Sequence, residues 1–131
     1  RLNNEFSFTL DAAASAQNTK CEKYFSRLQN GLHQSWEGER VFVHPPVNKY
    51  LREWIAKSFS SVYQRKTATI AVMIIPARTD LQAWRLFAMQ GAEVRFVEGH
   101  PFQEQGFKFP VIILIFDSQR GMVPKYTSYR F

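Results

Sequence analysis

Two short stretches carry side chains whose type and position suit a ligand. The first is Arg40-Val41-Phe42-Val43-His44-Pro45-Pro46-Val47. A buried-type strand, Val41 to Val43, runs into a double proline that continues neither a ladder nor a helix, so the backbone leaves the sheet as a stiff loop. Such a loop holds a side chain, here His44, in a fixed place. Asn48 then opens an amphipathic helix, and in open α/β sheets a strand, loop and helix in that order put ligands at the carboxyl ends of strands. The second stretch is Asp11-Ala12-Ala13-Ala14-Ser15. Its small side chains let a ligand approach the backbone, as glycines do in nucleotide loops, although an alanine run also suits a plain helix. Lys49 and Arg52, on the polar face of the helix, and Arg78 further on are candidate phosphate contacts for a nucleic acid. The alternative is a solvated face.

The elements that must position these residues follow from hydrophobic period. Leu51, Trp54, Ile55, Phe59 and Val62 recur at spacings of three and four, which predicts a helix from about Lys49 to Gln64 with Lys49, Arg52, Glu53, Lys57 and Arg65 facing water. Phe6-Ser7-Phe8-Thr9-Leu10 alternates and predicts a strand that Asp11 ends, and Lys23-Tyr24-Phe25 predicts a very short one. Residues 26–36, broken by Gly31, predict a loop or one irregular turn. Ala68 to Ile75 is continuous and β-branched, as a parallel strand covered on both faces should be, and Pro76 stops it. A helix should then run from Leu81 to about Met89, with Thr79 or Asp80 as N-cap and Gly91 closing it. Glu93 to Val97 alternates, Val111 to Phe116 is another buried-type strand, and the loop between them, with Gly99, Pro101 and Gly106, should join them as an antiparallel pair. This order predicts an α/β fold whose sheet is mostly parallel, with one antiparallel strand at or near an edge. Residues 1–117 should form the domain and 118–131 an irregular tail. The tail mixes Arg120, Lys125 and Arg130 with Tyr126, Tyr129 and Phe131, a composition that suits RNA or protein contact or packing along its own domain.

At 131 residues one domain is expected, and twelve phenylalanines predict an aromatic core. No apolar run is long enough for a bilayer, and the first residues lack a signal peptide's apolar core, so no membrane association is expected. A net charge of +6 with a pI near 9.7 favours a polyanionic partner such as nucleic acid, or else a basic but indifferent surface. Cys21 is the only cysteine, so no intramolecular disulfide forms, and a reducing, intracellular compartment is expected, either cytoplasm or an organelle matrix. His33, His44 and His100 match no zinc-ligand spacing.

Several segments, in order, resemble the phage-type DNA N6-adenine methyltransferases, a small Dam-like family. They are residues 8–15; Asn18-Thr19-Lys20-Cys21 with Tyr24-Phe25; Gly31-Leu32 through Trp36 to the double proline; Trp54-Ile55 with Lys57; Ile75-Pro76-Ala77-Arg78-Thr79-Asp80; the Gly99 turn; and Phe109-Pro110. The resemblance implies a Rossmann-like, S-adenosylmethionine-dependent methyltransferase fold with Asp11, Ala12, Ala13 and Ser15 at the cofactor. It also implies that the double-proline loop holds a target adenine. In the family this loop reads Asn/Asp-Pro-Pro-Tyr: the first side chain and a proline carbonyl accept hydrogen bonds from the adenine amino group, and the aromatic ring stacks on the flipped base. That grip keeps the nitrogen lone pair aimed at the methyl sulfonium.

Here His44 stands for the Asn or Asp, and Val47 for the aromatic residue. A neutral imidazole accepts one hydrogen bond but differs from an amide in shape. Valine has no π-face, and a lost base stack costs ~1–3 kcal/mol. Gly99-His100-Pro101-Phe102 lacks the family's arginine after the glycine, and the family's upstream cofactor motif would lie before Arg1, where the sequence begins. The expectation is a methyltransferase-like protein in which His44, Pro45, Pro46 and Val47 form a degenerate catalytic motif. Such a protein would serve as a nucleic-acid-associated binding or structural subunit of a larger assembly. The alternative is an active adenine-N6 methyltransferase on DNA, less readily on RNA.

Overall fold

The computed structural model describes residues 2–105 and 109–131, so Gly106 of the expected loop lies outside it. Within the described residues the strands β1 (Leu10–Asp11), β2 (Arg40–Val43), β3 (Ile70–Pro76), β4 (Glu93–Val97), β5 (Val111–Asp117) and β6 (Lys125–Tyr129) form one sheet in the order β1-β2-β3-β5-β4-β6. β1, β2 and β3 are parallel, β5 is antiparallel to both β3 and β4, and β6 is parallel to β4. β5 alone therefore runs against the rest. The α/β class and the antiparallel β4–β5 pair agree with expectation.

Two expectations about the sheet are corrected together. Residues 125–129 are not an irregular tail but the edge strand β6, paired with all of β4. Its addition leaves β5 third from that edge, between β3 and β4, rather than at or next to it. The sequence hid β6 because Lys-Tyr-Thr-Ser-Tyr buries little on either face, so no apolar alternation marks it.

The N-terminal strand is corrected as well. Leu2–Phe6 is a helical turn (α1) whose Leu2 and Phe6, four apart, both pack into the sheet's second face. Phe8 then stacks between Phe6 and Phe42, at centroid distances of 5.8 and 5.2 Å, and only Leu10 and Asp11 enter the ladder. The apparent period of two came from rings that reach one core by different routes.

The predicted long helix is α2 (Leu51–Phe59), continued by a π-type turn over Ser60–Gln64. It buries Leu51, Trp54, Ile55, Phe59 and Val62 against the sheet, as the spacing required. The backbone reaches α2 through a turn in which Asn48 Oδ1 accepts from the Tyr50 amide at 2.8 Å, so the helix starts three residues beyond Asn48. A π-type stretch, Trp84–Ala88, and a final α-turn, Met89–Gly91 (α3), cover the other half of the same face. Asp80 caps nothing there; Arg78 engages both its oxygens at 2.8 Å. Among the described residues no helix is long and apolar enough to cross a membrane.

Lys57 leaves the solvated face to which the sequence assigned it. It lies 5.0 Å over the Trp36 ring and donates to the carbonyls of Leu32 and Gln34. Burial lowers its pKa, and neighbouring Arg65 adds to the effect. This contact pins the short 3₁₀ turn Gly31–His33 to α2. Gly31 allows the close approach: a Cβ there would sit 2.0 Å from the Ala12 carbonyl oxygen and 3.2 Å from the Trp54 ring. Gly31→Ala should therefore cost about 1–3 kcal/mol in urea unfolding. An unchanged midpoint would mean that the Ala12 backbone moves aside freely.

Candidate functional site

β1 meets a different segment on each side. β2 pairs with it on one side, and on the other Asp11 forms a parallel bridge with Tyr24, with Asp11 N donating to Lys23 O and Phe25 N to Asp11 O, both at 3.0 Å. The chain thus leaves β1 outward to Tyr24 and returns on the inner side as β2. Connections that diverge in this way open a crevice at the carboxyl ends of the two strands. Asp11 to Ser15 and His44 to Val47 both follow those ends, and the Ala12 amide donates to Phe42 O at 3.0 Å.

The double-proline loop presents its residues to two adjoining spaces. His44 and buried Pro45 line a crevice of about 10 Å³ with Ile74, Ile75, Phe102 and Val111, room for one water at most. The His44 ring lies 5.7 Å from that of Phe102. Burial lowers the His44 pKa and the positive charge of Lys20 pushes the same way, so the imidazole is neutral at pH 7. Val47, Pro76 and Phe109 are shared with a cleft of about 590 Å³. This larger space brings Lys49, Arg52 and Arg78 together around Leu51, Leu81 and Pro110. The three cations named from the sequence therefore share one cleft. His44 does not line it.

The family model for DNA N-6-adenine-methyltransferase (Dam) matches residues 1–118. The chain belongs to that family. No curated protein matches it. The Dam match covers residues 11–15 and 44–47 and the residues of the cleft, and it ends before β6.

Enzymes of the Dam type draw their methyl group from S-adenosylmethionine, and the resemblance assigned Asp11, Ala12, Ala13 and Ser15 to it. Asp11 is 2% exposed, and its two oxygens accept from the amides of Lys20 at 2.9 Å and Ala13 at 3.4 Å. Burial raises its pKa, which those two bonds and the Lys20 charge partly offset. Ala12 is fully buried in the core. Ala13 and Ser15 are half-buried, and Ser15 begins a turn in which Asn18 Oδ1 accepts from its amide at 2.8 Å. The alanine run is thus a loop clasped by Asp11, neither a helix nor an open cradle. As arranged, Asp11 accepts two amides of the following loop and keeps further acceptor capacity, while the amides of Ala12 to Ser15 are engaged within the chain.

Sequence reasoning passed over Phe102, Leu81 and Lys20 as site residues. Phe109-Pro110 carried a signal, as part of the resemblance, but nothing in its composition tied it to the cleft. In this Dam-family chain the lowered His44 pKa has a sign that can be checked. A base whose pKa is depressed on folding stabilises the fold above its ordinary value of 6.5, and that stability is lost as pH falls through the folded pKa. Unfolding midpoints should therefore drop below pH 6.5, and His44→Asn should flatten this part of the profile. The His44 ring resonance should titrate below 6.5; a midpoint at or above that value would contradict the burial argument.

Proposed function

We propose that this Dam-family chain binds nucleic acid in the cleft beside its double-proline loop and does not methylate adenine. On this reading it is a binding or structural subunit. The observation that carries the proposal is the separation of His44 from the cleft: the residue in the adenine-gripping position packs against Phe102, in a space far too small for a base. Val47, which does face the cleft, offers a methyl surface in place of a ring. Asp11 supports the same reading, since its carboxylate is committed to the loop that follows it.

What the cleft offers is charge at the rim and apolar surface within. Lys49, Arg52 and Arg78 are exposed, so they can neutralise phosphates and release counterions. Arg78 is held by Asp80 and would have to exchange that partner for a phosphate. Both groups are exposed, so water and salt screen the pair and it exchanges readily.

The test combines transfer and binding. With labelled S-adenosylmethionine and adenine-containing duplex DNA or RNA, methyl incorporation should not exceed that of His44→Ala; incorporation that His44→Ala abolishes would overturn the proposal. Binding should weaken with salt. Arg52→Ala and Arg78→Ala should each weaken it across all sequences and lower the slope of log K against log salt by roughly 0.9. An unchanged slope in both variants would remove the cleft from the binding site.

A further inference from the structure

β6 lies beyond the part of the chain that the family match covers, and it builds a surface that the matched residues alone do not complete. The β4–β6 register pairs Val94 with Tyr126 and Phe96 with Ser128. Residues two apart on a strand share a face, so Val94, Phe96, Tyr126 and Ser128 all lie on the side where the helices pack. Val94 is covered, but the helix above it ends at Gly91, against which Met122 packs closely. Past that point no element of the described residues covers the sheet. Phe96 is 45% and Tyr126 50% exposed, and their rings stack at 6.5 Å with 22° between planes.

We propose that this open face of β4 and β6, centred on the Phe96–Tyr126 stack, is a second binding surface and that it takes single-stranded nucleic acid. Two neighbouring aromatic rings on a sheet, open to solvent, offer π-faces to unpaired bases, whereas bases stacked inside a duplex have no free face to give. Among the cations of residues 118–131, the one that serves this face is Arg130, two residues beyond Ser128; Lys125 alternates to the other face, and Arg120 is half-buried and donates to Gly91 O at 3.3 Å. Arg130 pairs with Glu98 at 2.9 Å at the rim, with side chains 82% and 47% exposed. A pair so exposed is weak and readily gives way to a phosphate. A second copy added at the β6 edge would instead bring the Lys125 and Arg130 charges of both strands together. The surface shares no residue with the cleft, so it stands or falls separately from the function proposed above.

The experiment follows a short labelled single strand of mixed sequence, and the matching duplex, by fluorescence anisotropy on the full chain. Phe96→Ala and Tyr126→Ala should each weaken single-strand binding by roughly 5- to 100-fold while leaving the duplex unaffected, and Tyr126→Phe should bind like the wild type. Folded alanine variants that bind the single strand within about twofold of the wild type would overturn the proposal. Photocrosslinking of a thiothymidine-containing strand to the wild-type protein gives an answer that needs no variant. Crosslinks in the peptides holding Phe96 or Tyr126 support the surface, and crosslinks confined to residues 47–52 and 76–81 refute it. A wild-type dimer that Tyr126→Ala dissolves would also refute it, because the face would then belong to a second copy.

Discussion

The ladder between β3 and β5 is the constraint from which both halves of the molecule hang. It pairs every residue from Ile70↔Asp117 to Pro76↔Val111, and all but Asp117 are buried. Its side chains divide by parity. Ala71, Met73, Ile75, Ile112, Leu114 and Phe116 lie under the helices, while Ile70, Val72, Ile74, Val111, Ile113 and Ile115 fill the other face. A slip of one residue would exchange the two sets and mismatch the packing of both cores. Because β2 pairs with β3 from Arg40↔Ile70 to Val43↔Met73, Pro45 leaves the sheet beside Ile75 and Pro76. The register thus decides that one wall of the cleft comes from the double-proline loop and another from the end of β3.

Those two strands were the most legible part of the sequence, for a physical reason. A strand covered on both faces is apolar at every position, and the β-branched residues and bounding prolines separate these runs from a buried helix segment. The α2 stripe was legible because one helix face is buried and the other is not. β6 and α1 fail that condition in opposite ways. β6 is held mainly by backbone pairing, which leaves no trace in side-chain pattern, whereas α1 is too short for its period to separate from the alternation that follows. Lys57 shows a third limit: a long aliphatic stem with a cationic tip can serve water or a buried carbonyl cage, and only the packing of Trp36 and the 31–36 turn decides between them.

For the site, topology was readable and commitment was not. Strand, proline loop and helix in sequence led to His44 to Val47, and the chain diverges at β1 beside that loop. Whether a polar side chain faces a ligand or its own backbone depends on loop closure, which no spacing encodes. Asp11 illustrates this. Nine residues separate it from Lys20, whose amide it holds, and a carboxylate able to line a pocket serves equally well as the clasp of the loop that follows.

The stability of this fold rests mainly on enclosed residues rather than on the exposed ones around the cleft, and burial shows the division. Gly31 and Asp11 are enclosed: an added methyl at one, or a lost acceptor at the other, disturbs the packed connection between β1, the turn and α2. Val47 is 49% exposed, and Lys49, Arg52 and Arg78 are open to water. Surface positions of that kind usually change stability by no more than about 0.5 kcal/mol. An aromatic ring at residue 47 would contribute to a bound base and little to the free protein. His44 lies between these cases, because its ring fills space beside Phe102 and stays uncharged there. The core thus constrains the loop through His44 and Pro45, which pack inward, and leaves Val47 at its tip open to solvent.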